Sequence, residues 1–212
     1  SRSYSVFAGG NLVEGPDLTA FLILQMEALE ALAQRIGRTA EAADWHRQAD
    51  DLLRRFLDHS WDGTAFLSRC SGTHDSTPGS DSLINFVPLI LGNRLSSDVR
   101  KALMKGLREE GRFLCPFGLA TESFRSPFHD PSGYWSGPVW GPAVTILVDG
   151  LLRCGDEPFA REIARRYCDN MVRHGTAENF NSATGVGQND RAYTWSTSAF
   201  LLLASYLHTG TW

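Results

Sequence analysis

Strongly apolar helical runs alternate with amphipathic ones along this chain, and that alternation limits what it can fold into. The apolar runs open near Asp17, Asp81, Pro142 and Trp195, and Pro142 to Leu152 is apolar nearly all round. A helix apolar on every side is buried on every side. The runs from Thr39, from Ser96 or Ser97, and from Glu157 carry charge on one face only. An inner layer of buried helices backed by an outer, amphipathic layer, joined as helix hairpins, satisfies both patterns. The chain has room for roughly seven helices of ordinary length. The expected class is all-α, and with no short repeat and no linker, residues 1–212 read as a single domain.

Local signals set the boundaries. The first helix runs from Asp17 to Ile36 and stops at Gly37, with Asp17 as the N-cap candidate. The second begins at Thr39 and shows one face of Ala42, Trp45, Ala49, Leu52, Leu53 and Phe56. Trp61-Asp62-Gly63 reads as a turn, Thr64 to Ser68 as a short strand, and Cys70 to Ser80 as a loop. Asp81 to Leu91 is an apolar helix shortened or kinked by Pro88. A serine-capped helix then runs through Arg108 and ends by Gly111. Two long segments, Phe113 to Gly141 and Thr176 to Ala192, have little periodicity, and structureless segments of that length are usually functional.

The totals exclude several classes of function. A net charge of -4 over 212 residues gives no pull towards nucleic acid or an anionic membrane surface. Nothing approaches the roughly 18 consecutive apolar residues of a membrane span. Cys70, Cys115, Cys154 and Cys168 are widely spaced and match no CxxC pair, so they read as buried thiols and neither a zinc site nor a disulfide framework is expected. The chain has no signal peptide and does not begin with Met, which implies a processed start or a piece of something longer. A cytoplasmic location is the expectation.

The chemistry concentrates in Tyr134-Trp135-Ser136-Gly137-Pro138-Val139-Trp140 and in Ala177-Glu178-Asn179-Phe180. Aromatic rings cover the C–H face of a sugar, and glycine permits close approach, so the first string suits a polyhydroxylated ligand. The second places one carboxylate in a polar loop at a helix mouth. Gly185 and Gly187 are followed by no GK[ST], which argues against nucleotide binding.

Gly118-Leu119-Ala120-Thr121-Glu122, Phe128-His129-Asp130-Pro131, Gly133 to Trp140, Glu178-Asn179-Phe180 and Tyr193-Thr194-Trp195-Ser196 follow in that order. Together they resemble the C-terminal half of the (α/α)6-barrel inverting α-glycosidases, which include family 63 glycoside hydrolases, trehalases and mannosylglycerate hydrolases. Gly15 to Phe21 resembles the segment opening an inner helix of those enzymes. The Tyr-Trp-x-Gly-Pro-Val-Trp string is the specific part.

The resemblance implies a partial (α/α)6 toroid, a little over half of a full barrel, lacking its N-terminal part. It implies an inverting hydrolase of α-glucosidic or α-mannosidic bonds, acting on an oligosaccharide or glycoside. It matches Glu178 to the general base, with Asn179, Asn181 and Tyr193 as candidates to hold it. Trp135 and Trp140 would wall the sugar site, with Tyr134, Gly137, Phe117 and Tyr193 beside them. The general acid of the family is an Asp in an Asp-x-Ser-x-Arg-like segment, and Ser1-Arg2-Ser3 would be its tail, placing the acid before Ser1. Glu14, Asp17 and Glu122 are the available substitutes, the last two also as substrate contacts. The family commonly has Arg where Ser136 stands, and Arg125 is the candidate replacement. Gly187-Gln188-Asn189-Asp190 either binds sugar hydroxyls or builds a turn, and His129 reads as a turn residue. No cofactor is expected and no metal ligand is assigned; the resemblance leaves calcium open, although no EF-hand-like loop is present. The partners expected are the absent part of the barrel or a second copy of the chain.

Two other classes compete. One is a helical toroid that binds carbohydrate or serves as a scaffold without turnover. The other is a polysaccharide lyase, which needs a histidine converging on Tyr193.

Overall fold

Six α-helices and one long 3-10 segment carry the computed structural model, which describes residues 12–76 and 81–212. Ser1-Arg2-Ser3 lies outside the described residues. In order, the elements are β1 (Val13–Glu14), α1 (Pro16–Arg35), α2 (Thr39–Ser60), β2 (Arg69–Cys70) and the 3-10 segment Leu83–Arg94. Then come α3 (Ser97–Arg108), β3 (Leu114–Cys115), β4 (Gly118–Leu119), α4 (Gly141–Arg153), α5 (Glu157–His174), β5 (Asn179–Phe180), β6 (Gly187–Gln188) and α6 (Thr194–Thr209). The short strands pair only as antiparallel couples, β1 with β2, β3 with β4 and β5 with β6.

The helices form the two expected layers. An inner arc runs α1, 3-10 segment, α4, α6, each packed on the next. Outside it, α2 lies on α1, α3 on the 3-10 segment, and α5 against both α4 and α6. The core fills the space between layers, with Ile23, Leu89, Leu147, Ile163 and Leu203 all sealed from solvent. The chain is thus a partial α/α toroid. Its end helices still expose large apolar side chains, Leu18, Leu22 and Leu32 on α1 and Leu201 and Leu202 on α6. No described helix is long and apolar enough to cross a membrane.

Three local expectations need correction. The N-cap of α1 is Gly15, and Asp17 lies inside the first turn, where a negative charge complements the helix dipole. Thr64 to Ser68 forms no strand: Phe66 makes a single bridge back to Trp61, and the strand begins at Arg69. The run carrying Pro88 is wound as a 3-10 helix and broken at Gly92, where φ is 53°. Ser96 does cap α3, its hydroxyl accepting the Val99 N–H.

Candidate active site

The two long irregular segments meet at Val139. Its N–H donates to the Phe180 carbonyl at 2.8 Å, and the Phe180 N–H returns to the Val139 carbonyl at 3.0 Å. Ala120 bridges to Val139 from the other side. This ladder sets residues 134–140, which lead into α4, beside Glu178, which precedes β5. The aromatic string and the carboxylate are therefore brought together by backbone pairing.

The backbone of Glu178 is held from two further directions. Its N–H donates to the Asp190 carbonyl at 2.7 Å, and its carbonyl accepts the Ser196 hydroxyl from the first turn of α6 at 3.1 Å. Its carboxylate accepts the Tyr134 hydroxyl at 2.5 Å. Glu178 itself is 6% exposed, while Tyr134 is 54% exposed and covers it. The hydrogen bond to Glu178, with burial behind it, pushes the Tyr134 hydroxyl up to about 12. Tyr134 thus keeps its proton, and donates it, throughout the neutral range.

An aromatic shell surrounds this pair. Trp135 stacks flat on Trp140, with centroids 3.8 Å apart and planes 8° apart. Tyr134 meets Trp140 edge-on at 5.0 Å, and the Trp140 indole N–H donates to the Tyr134 carbonyl at 2.7 Å. Trp195 meets Trp140 at 6.2 Å and Tyr193 at 6.0 Å. Next to the shell lies a cavity of ≈ 340 Å³, lined mainly by apolar side chains. Asp17, Ser82, Pro142 and Trp195 line it, so all four members of the inner arc present their N-terminal ends to the same space. Trp135 forms part of its wall.

Residues 2–196 match the mannosylglycerate hydrolase MGH1-like glycoside hydrolase domain. The chain belongs to this family. It is 30% identical to the mannosylglycerate hydrolase of Thermus thermophilus over 120 residues, which is 55% of this chain and 28% of that protein. The crystal structure of a GH63 mannosylglycerate hydrolase from Thermus thermophilus in complex with glucose superposes with a TM-score of 0.75 at 24% identity. That match covers 90% of this chain and 47% of the other. The neutral trehalase Nth1 of Saccharomyces cerevisiae shares the fold at a TM-score of 0.75 and 15% identity, over 92% of this chain and 38% of the trehalase. The chain therefore spans less than half the length of each of these proteins.

Seen within that family fold, the structure assembles some of the expected site residues and separates others. Glu178, Tyr134, Trp135 and Tyr193 converge, and Asp17 reaches the cavity. Trp140 is 0% exposed and stacks behind Trp135, which lines the cavity in its place. Gly137 is buried too, and a Cβ there would sit 2.4 Å from the Asp130 carbonyl, so it makes room for backbone and not for sugar. Phe117 packs beneath the 181–186 turn, its ring 2.6 Å from where a Gly185 Cβ would lie. Glu122 is 0% exposed and accepts the Asp81 N–H and the Ser126 hydroxyl, which makes it an internal strut between two loops. Arg125 is directed to Glu109 and the Glu110 carbonyl on the outer surface, and so does not stand in for the family arginine.

The partners expected for Glu178 are also revised. Both amide atoms of Asn179 are buried with no hydrogen-bond partner among the described residues, and Asn181 caps the turn through Ala183 and Thr184. Gln188 holds the Pro131 carbonyl, a structural duty. His129 is pinned by the Glu122 carbonyl and Ser182, as a turn residue would be. Trp195 and Ser196 are the site residues that sequence reasoning passed over. An aromatic at the mouth of an apolar helix followed by a small hydroxyl is the available signal.

Removing the Tyr134 hydroxyl tests this geometry. In an active protein containing this chain, Tyr134→Phe is expected to lower kcat/KM by about ten- to a hundred-fold, since a hydrogen bond to a charged group is worth about 1.5–3 kcal/mol. Steady-state kinetics with an unchanged circular dichroism spectrum checks it. A variant as fast as its parent would leave the hydroxyl no part in positioning Glu178.

Proposed function

We propose that this chain supplies the general-base half of an inverting α-glycosidase that cleaves an α-glucosidic or α-mannosidic bond in a small glycoside of the mannosylglycerate type. The observation that carries the reading is the Glu178 carboxylate, nearly buried and hydrogen-bonded by Tyr134, whose ring packs on the Trp135–Trp140 stack, with Trp135 in turn lining the cavity. Inverting hydrolysis needs a carboxylate that activates water on the face opposite a second, acidic carboxyl. In this reading Glu178 takes the proton from water, Tyr134 fixes the carboxylate, and Trp135 and Trp195 cover the sugar's apolar face.

The acid is assigned to chain outside these 212 residues. Glu14 is engaged with two histidines and Glu122 is sealed, which leaves Asp17 as the one substitute at the cavity. The exposed apolar faces of α1 and α6 support a companion reading: the remainder of the toroid, or a second copy, closes over them.

The test uses a protein containing this chain, incubated with a panel of α-glucosides and α-mannosides while the product anomer is followed by NMR. The β-anomer is expected first, and initial release of the α-anomer would rule the mechanism out. The chain alone is expected to spare disaccharides but turn over glycosyl fluorides, whose leaving group needs little protonation. Brisk hydrolysis of a disaccharide by the chain alone would return the acid to Asp17.

A further inference from the structure

On the outer side of α1's entry, three side chains from distant parts of the sequence converge. Glu14 lies on β1, His59 in the last turn of α2, and His74 in the turn after β2. Register brings them together, since β1 pairs antiparallel with β2 through Val13↔Cys70 and Glu14↔Arg69. Arg69 then clamps both histidines by their backbones, donating to the His59 carbonyl at 2.6 Å and to the His74 carbonyl at 2.9 Å.

The donor atoms face one another. Glu14 Oε2 lies 2.6 Å from His59 Nε2 and 3.2 Å from His74 Nδ1. The three ligand atoms all fall within 4.8 Å of one another. The imidazoles meet edge to face, centroids 5.2 Å apart, which aims two nitrogens at one carboxylate oxygen without stacking the rings. His74 also sits at φ 61°, a left-handed conformation uncommon outside glycine. It is kept there by its own N–H to the Cys70 carbonyl at 2.8 Å and by Arg69. Backbone strain of this kind, about 1–3 kcal/mol, persists where the surroundings over-determine it.

We propose that Glu14, His59 and His74 form a binding site for a divalent cation of the zinc class, with a fourth position open to water. Two imidazoles and a carboxylate are a zinc donor set. Tetrahedral bonds of about 2.1 Å place donors roughly 3.4 Å apart, so each of the two edges from Glu14 to a histidine needs to open by less than about 1 Å. The site is separate from Glu178 and its role is to fasten the chain. It ties β1 to the end of α2, and β1 leads within two residues into the first turn of α1, where Asp17 meets the cavity. Sequence spacing hid it, because the histidines follow Glu14 by 45 and 60 residues.

The experiment titrates zinc chloride into the EDTA-treated chain by calorimetry, with cobalt(II) as a spectroscopic substitute. One equivalent should bind, cobalt should give visible d–d bands without a thiolate charge-transfer band, and zinc should raise the melting temperature. His59→Gln and His74→Asn should each weaken binding by about a hundred-fold. Asparagine tolerates the left-handed backbone, so the second variant keeps the turn. His46→Gln, altering a histidine that pairs with Glu30 and Asp50 elsewhere on α2, and Cys70→Ser should leave affinity unchanged. No saturable heat with folded protein would overturn the site. So would equal affinity in His59→Gln and His74→Asn, or loss of binding in Cys70→Ser.

Discussion

Glu178→Gln is expected to lower kcat by about a hundred- to ten-thousand-fold in an active protein that contains this chain, which is the range of general-base assistance. Glutamine keeps the size of the side chain and still offers Tyr134 an oxygen to donate to, so the loop and its ladder to Val139 stay in place. What is lost is the capacity to take a proton from water. Loss of an ordinary exposed carboxylate is worth at most about 1 kcal/mol, roughly a fivefold effect, so the two explanations are well separated. The measurement is kcat on the best glycoside of the panel, alongside circular dichroism of the variant. A folded variant retaining more than a tenth of parental activity would make Glu178 a structural loop residue, whatever its resemblance implies.

The helices were legible because their signals are local. The stops at Gly37 and Gly111, the Ser96 cap and the amphipathic faces of α2, α3 and α5 depend on neighbours within one or two turns. The 3-10 segment was not legible in that way. It lies backbone-close against α4: a Cβ on Gly150 would meet Leu89 Cβ at 2.9 Å, and one on Gly92 would meet Arg153 Cβ at 2.9 Å. That tight approach is a tertiary demand, met by glycines that look in sequence like ordinary helix breakers.

The site divides along the same line. Glu178 stood out because a carboxylate in a polar loop at a helix mouth is a local pattern. Its partner did not, since Tyr134 lies 44 residues away and tertiary pairing such as that of Val139 with Phe180 brings the two together. Of the nearer candidates, Asn181 is spent on the turn through Ala183 and Thr184, and the Asn179 amide is buried without a hydrogen-bond partner among the described residues. Glu122 failed for the same reason: the sequence shows a carboxylate beside the motif, but not the bridge from Ser82 that buries it.

The two tryptophans of the motif give the second large effect, and it falls on stability. Trp140 is fully buried, stacked on Trp135 and tied through its indole N–H to the Tyr134 carbonyl. Trp140→Ala is therefore expected to cost about 3–5 kcal/mol, the range for removing a large aromatic side chain from a core. It would also drop the floor beneath Trp135 and loosen Tyr134, so sugar affinity would fall indirectly. Trp135→Ala, at the cavity wall, should behave the other way, with a smaller loss of stability and a direct loss of affinity of about tenfold, in line with the worth of an aromatic contact. Denaturant midpoints and ligand titrations on the two variants separate the roles. If Trp140→Ala unfolds at the parental midpoint and only binding suffers, the stack is inverted and Trp140 is the platform. If Trp135→Ala proves the less stable of the two, the cavity wall is part of the core, and the sugar face must be sought on Trp195.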